Sequence, residues 1–235
     1  KRIIGSAVNP ILREGNSDRR VAHAVKSFAK AHPHSMGEWM STSLTHVAHM
    51  SDGDFYGTET SHTLENDDVL RIELTNSDGS KIILKENLRV KKAEVIDAAL
   101  LSCDALRAFL TQEKKSAKEQ GVLYSIHLKA TMMKISDPIM FGHAVETFFA
   151  ELFNDYGDVL KRIGFRARNG LGSLEACLDN AEPQEKEDIL LKIKSTLDDG
   201  PLLAMVDSDK GISNLHIPSD VIIDASMPAA IRAGG

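Results

Sequence analysis

Gly121-Val-Leu-Tyr-Ser-Ile-His-Leu-Lys129 is the stretch on which the fold class turns. Gly121 ends a helical pattern, and Val122 to Leu128 reads as a buried strand that finishes at a lysine. Upstream, Val95, Ile96, Ala99, Leu100, Leu106, Phe109 and Leu110 keep helical spacing and predict a helix from Val95 to about Glu119. Downstream, Phe141 to Phe153 predicts an amphipathic helix with Val145, Phe148, Phe149 and Leu152 on one face. Gln184 to Leu197 predicts another. Pro201 to Val206 and Asp220 to Ile223 are apolar runs of strand length. Strands alternating with helices imply an α/β layer.

Further out, Leu70-Arg-Ile-Glu-Leu-Thr75 alternates apolar and polar residues, and Lys81-Ile-Ile-Leu-Lys85 follows after Asp78-Gly79. Asp-Gly between such runs signals a β-hairpin. The expected fold is therefore α/β, a mixed sheet flanked by helices, with an antiparallel hairpin region near residues 41–92. Residues 1–20 read as an irregular loop, followed by a helix from about Asp18 to Ala31 that Pro33 stops.

The composition excludes several classes. The chain has 235 residues, 42% hydrophobic and 26% charged, so it can bury a core and is not a disordered polymer. No apolar run approaches the length of a membrane-spanning helix, and the first residues do not form a signal peptide. Cys103 and Cys177 lack CxxC spacing, which argues against a disulfide framework or cysteine zinc site and suits a reducing cytoplasm. Residues 1–34 hold seven Lys/Arg against two acids in a chain of net charge −6. Without stacking aromatics this basic segment suits a small anion better than a nucleic acid, and most such clusters are simply a solvated basic surface. The chain opens without Met and closes on Ala233-Gly234-Gly235, so a piece of a longer protein is expected.

Three groups are candidates for chemistry. Ser6, Asn9, Arg13 and Arg19, with Arg20, place a hydroxyl, a carboxamide and guanidinium forks on one short loop. Such forks pair with carboxylates while neutral donors orient the ligand. Helix capping accounts for the same Ser, Asn and Asp residues. Lys129, at a strand end, suits proton transfer or a Schiff base, or simple snorkelling to solvent. Asp224, after Val221-Ile-Ile223, stands where α/β sheets place acids and metal ligands, or else caps a turn.

Other signals are weaker. Gly170-Leu-Gly172 lacks the third glycine of a dinucleotide fingerprint and reads as a loop before a helix. Asp207-Ser-Asp209-Lys-Gly211 is rejected as a calcium loop, because Pro218 stands where the twelfth-position Glu belongs. His32/His34 and His46/His49 have no supporting metal pattern.

The run Gly5 to Arg20 resembles the isocitrate-binding segment of the monomeric NADP-dependent isocitrate dehydrogenases. The resemblance extends through Lys30–His34, Ser51–Gly57, Leu128–Lys134, Ser136–His143 and Asp220–Pro228, and so covers nearly the whole chain. It implies that Ser6, Asn9, Arg13 and Arg19 contact isocitrate, with Asn9 also near the NADP nicotinamide. It further implies that Lys129 is catalytic and that Asp224 is a ligand of Mg²⁺ or Mn²⁺. The implied reaction is oxidative decarboxylation of isocitrate to 2-oxoglutarate and CO₂, in a cytoplasmic monomeric enzyme. No nucleic acid or membrane partner is expected.

Family members are much longer. The resemblance places residues 1–18 as a segment leading from a small domain. Residues 19–235 would be the first half of a large domain like that of isocitrate and isopropylmalate dehydrogenases. The family's catalytic tyrosine, further metal-binding aspartates and most NADP contacts would lie elsewhere. Tyr56, Tyr124 and Tyr156 do not match the tyrosine motif. The isolated chain is therefore expected to be inactive, with exposed interface that drives self-association. Competing readings are a non-catalytic anion-binding or assembly module and a Lys129 Schiff-base enzyme.

Overall fold

The computed structural model describes residues 23–32, 37–126, 128 and 135–216. The chain divides into two units, residues 1–43 with 224–235, and residues 44–223. In the first unit the described helix is α1, His23–Ala31, in agreement with the end of the expected helix. The ring of His32 stacks on Phe28 with centroids 4.2 Å apart.

The second unit begins with a β region. A one-turn helix α2, Phe55–Thr58, is capped by Asp54, whose Oδ1 accepts from the Gly57 N–H at 2.9 Å. Strand β1, Thr60–Thr63, pairs antiparallel with β4, Val95–Ala98. Between them lies the expected hairpin, β2 (Asp68–Thr75) with β3 (Lys81–Val90), turning at Asp78-Gly79 where Gly79 has φ +83°. Only glycine takes that conformation without strain. Arg71, Glu73 and Lys81 form an ion-pair chain on the hairpin. Ile72, Leu74, Ile82 and Leu84 are exposed.

The helix expected from Val95 starts later than its apolar spacing predicts. Val95-Ile-Asp-Ala98 is strand β4, because its β-branched residues find Thr60–Thr63 as a partner. Helix α3 runs Cys103–Gln120. Ser102 caps its start, accepting from the Ala105 N–H, and Gly121 ends it in the left-handed region at φ 67°. Gly121 is thus the terminator the sequence suggested.

The apolar face expected over Phe141–Phe153 is present, but on two helices. Helix α4, Ser136–Phe148, and helix α5, Ala150–Arg162, meet at Phe149, whose backbone (φ −104°, ψ 37°) is not helical. Lys114 of α3 donates to the Phe148 carbonyl at 2.6 Å and lies 4.5 Å above the Phe148 ring, so α4 ends under a cation. Burial of Lys114 lowers its pKa. After α5 come two 3₁₀ turns, Ala167–Asn169 and Leu171–Ser173. Helix α6, Leu174–Leu178, follows, so Gly170-Leu-Gly172 is a loop before a helix. Helix α7, Pro183–Asp199, has Pro at its start and a reciprocal Glu182–Glu185 capping box.

The core gathers on α4, α5 and α7. Phe148, Phe149, Leu152, Leu160, Ile189 and Leu215 are almost wholly inaccessible. Each such side chain contributes about 1.5–3 kcal/mol of transfer free energy. Lys192 of α7 binds Glu151 (2.7 Å) and Asp155 (2.9 Å) of α5 at the rim.

The expected strand Val122–Leu128 is not a regular ladder. Among the described residues it contributes one parallel bridge, Tyr124 with Leu203. Strand β5, Met205–Asp207, pairs antiparallel with β6, Ile212–Ser213. The described residues are thus α/β, but their strands form three two-stranded antiparallel sheets and that single bridge. The expected mixed sheet is not assembled within them. Asp220–Ile223 and Pro33 lie outside the described residues.

Candidate functional site

Ser6, Asn9, Arg13, Arg19, Lys129 and Asp224 all lie outside the described residues. What is described is the framework from which two of them continue. Tyr124 donates its N–H to the Leu202 carbonyl at 2.7 Å, and its own carbonyl accepts from Ala204 at 3.0 Å. Its side chain is buried against Phe148, and burial pushes the phenol well above its ordinary value. Tyr124 is a core anchor whose phenol keeps its proton at neutral pH.

Two residues on, Ile126 is held by one side chain at both polar backbone atoms. Asn214 Oδ1 accepts from the Ile126 N–H at 2.8 Å, and Asn214 Nδ2 donates to the Ile126 carbonyl. The carboxamide thus imitates a neighbouring strand. Asn214 itself donates its backbone N–H to the Ala204 carbonyl at 2.9 Å. Lys129 is three residues beyond Ile126, and Asp224 is ten residues beyond Asn214. The segments that lead to the candidate base and the candidate metal ligand are therefore cross-linked.

The second segment has a further anchor. Leu171 donates to the Leu215 carbonyl at 3.1 Å and Gly172 to the His216 carbonyl at 2.9 Å. His216 Nδ1 accepts from the Ser213 N–H at 2.9 Å. Burial lowers the His216 pKa. The Gly170-Leu-Gly172 loop binds backbone rather than phosphate.

Asn214 carried no signal in the sequence, because an Asn in a turn is unremarkable until Ile126 is placed beside it. Among the described residues no group of three or more His, Cys, Asp or Glu is arranged to hold a metal ion. No helix among them is long and apolar enough to cross a membrane. Cys103 and Cys177 are free thiols.

The described residues thus form an α/β framework in which the segments leading toward Lys129 and Asp224 are tied together through Ile126 and Asn214. Comparison with known proteins identifies the family. The family model for monomeric isocitrate dehydrogenase matches residues 1–235, and the chain belongs to that family. It is 51% identical over 234 residues to an Azotobacter vinelandii protein named isocitrate dehydrogenase [NADP], covering 100% of this chain and 32% of the relative. It is 50% identical to isocitrate dehydrogenase [NADP] 2 of Colwellia maris, with 100% and 32% covered. The Mycobacterium tuberculosis protein of the same name is 48% identical, with 100% and 31% covered. The chain spans about a third of the length of these curated relatives.

Proposed function

We propose that this chain is the part of an NADP-dependent isocitrate dehydrogenase that receives the substrate's carboxylates and supplies a catalytic lysine. The observation that carries the reading is the family match across every residue, including the positions chosen on chemical grounds. Arg13 and Arg19 bind two carboxylates of isocitrate by charge-assisted hydrogen bonds. Ser6 and Asn9 orient the substrate, Asn9 also toward the nicotinamide. Isocitrate gives up its C2 hydroxyl proton, and a hydride passes from C2 to NADP⁺. The resulting ketone loses its β-carboxylate as CO₂, and the enolate left behind takes a proton at C3 to give 2-oxoglutarate. Lys129 exchanges the proton at the C2 oxygen.

Bound Mg²⁺ or Mn²⁺ would acidify the C2 hydroxyl and polarise its oxygen. Asp224 is the donor this chain offers. A hard divalent cation takes several oxygens, and the described residues contain no cluster that would complete the set. The one glycine-rich candidate loop for the coenzyme already donates to the Leu215 and His216 carbonyls.

The finer fold follows the same proposal. Residues 1–18 lead from a small domain, and residues 19–235 are the first half of an isocitrate/isopropylmalate dehydrogenase-like large domain. The whole enzyme is monomeric and cytoplasmic. The exposed apolar residues of the β2–β3 hairpin support self-association of this chain when isolated.

The test is calorimetric titration of the 235-residue chain with isocitrate plus Mn²⁺, alongside absorbance of NADPH. Expected are no NADPH and isocitrate binding that Arg13→Gln and Arg19→Gln each weaken at least about tenfold. NADPH formation by the chain alone would overturn its assignment as catalytically incomplete. Isocitrate binding indifferent to both arginines would overturn the substrate assignment. A non-catalytic anion module would bind isocitrate no better than a tricarboxylate lacking its hydroxyl.

A further inference from the structure

A cleft of about 750 Å³ opens between α4, α5 and the turn that follows α5. That volume lies within the usual range for small-molecule sites, roughly 300–1,000 Å³. Its rim carries Lys161, Arg166 and Arg168. All three are exposed, and their side chains make no hydrogen bond or ion pair among the described residues. The acid in the lining, Glu146, is already engaged by Arg107 at 2.8 Å. Arg107 also donates from Nε to His143 Nδ1 at 3.2 Å. A chain of net charge −6 thus places three cations without a side-chain partner among the described residues around one concavity.

The backbone is shaped to keep that concavity open. Helix α5 leaves helical geometry at Tyr156 (φ −124°, ψ 15°), just before Gly157. A helix-interior glycine costs about 1 kcal/mol relative to alanine, and a Cβ at Gly157 would meet nothing within 4 Å. Gly157 borders the cleft, so a side chain there would occupy it. Across the cleft, a Cβ on Gly142 would stand 3.1 Å from the Arg168 backbone nitrogen, so α4 and the arginine turn are in close contact. Phe153, Leu160 and Phe165 supply an apolar floor.

We propose that this cleft is a second anion site, which takes a small organic molecule bearing two or more carboxylate or phosphate groups. Arg166 and Arg168 are forks suited to planar oxyanions, Lys161 is a point charge, and the floor receives the ligand's carbon skeleton.

The test uses the full 235-residue chain with Arg13→Gln and Arg19→Gln in place, which silences the substrate loop. Pyrophosphate and tricarballylate are titrated separately by calorimetry, and the tighter probe identifies phosphate or carboxylate as the recognised group. Saturable binding is expected, weakened at least about tenfold by adding Arg166→Gln with Arg168→Gln. Gly157→Leu should abolish it by filling the cleft, while far-ultraviolet circular dichroism stays unchanged. Arg166 and Arg168 are exposed, and a Cβ at the half-buried Gly157 meets nothing within 4 Å, so neither change displaces a core side chain. Absence of saturable binding of both probes into the millimolar range would overturn the proposal. So would binding that survives both cleft variants.

Discussion

Replacing Asn214 by Ala should be among the most costly single changes outside the aromatic core. One carboxamide satisfies both polar backbone atoms of Ile126, in a partly buried setting between the Tyr124–Leu203 bridge and Leu215. Each lost bond removes about 0.5–1.5 kcal/mol net, and a backbone group left unpaired and away from water costs about 1–3 kcal/mol. Some water will reach Ile126, so the sum is about 2–4 kcal/mol. For a unit of this size that is a fall in melting temperature on the order of 5–15 °C.

Urea unfolding followed by circular dichroism measures the change, provided the slope is unaltered. Asn214→Asp separates the two bonds. A carboxylate still accepts from the Ile126 N–H but faces the Ile126 carbonyl without a donor. Protonation restores one, which raises the folded pKa above the ~3.9 of an unfolded aspartate. The variant's contribution is therefore complete below that unfolded value and is lost as pH rises through the folded one. A midpoint for Asn214→Ala equivalent to less than about 0.5 kcal/mol would refute the view that Asn214 holds this segment.

Other outcomes follow from the same packing. The folded His216 pKa is depressed by burial, so its contribution to stability is present above about 6.5 and is lost as pH falls through the folded value. His216→Gln should flatten that slope in urea midpoints measured across weakly acidic pH. Gly53 sits at φ 72°, and a Cβ there would lie 2.9 Å from Ala105 Cβ. Gly53→Ala should cost about 1–3 kcal/mol by strain and displacement of the α3 start, read as a lowered melting temperature. Lys192 has its pKa raised by hydrogen bonds to Glu151 and Asp155. Lys192→Met should lower the melting temperature at low salt, and the difference from the parent chain should shrink in concentrated salt.

Features that depend on neighbours in sequence were legible in advance. The Asp78-Gly79 turn aligns β2 with β3 because loop length and a positive-φ glycine set hairpin register locally. The apolar face of Val145, Phe148, Phe149 and Leu152 was visible as spacing and is buried as expected. The break at Phe149 was not visible, since Lys114, which receives the end of α4, lies 34 residues away. The same reason explains Val95 and Ile96. Their spacing fits a helix, and only the distant Thr60–Thr63 makes a strand the better use of their β-branched side chains.

The sequence alone determined the family, the α/β class and the identities of the anion-binding and lysine candidates, because each rests on residue types in short runs. Tertiary structure alone decided that Ile126 and Asn214 are cross-linked, that Tyr124 is an anchor, and that Arg166 and Arg168 share a cleft with His143. The physical reason is that each pairing joins residues between about 23 and 88 positions apart. Closing such loops is repaid only when many buried contacts form together, and no local pattern records which contacts those are.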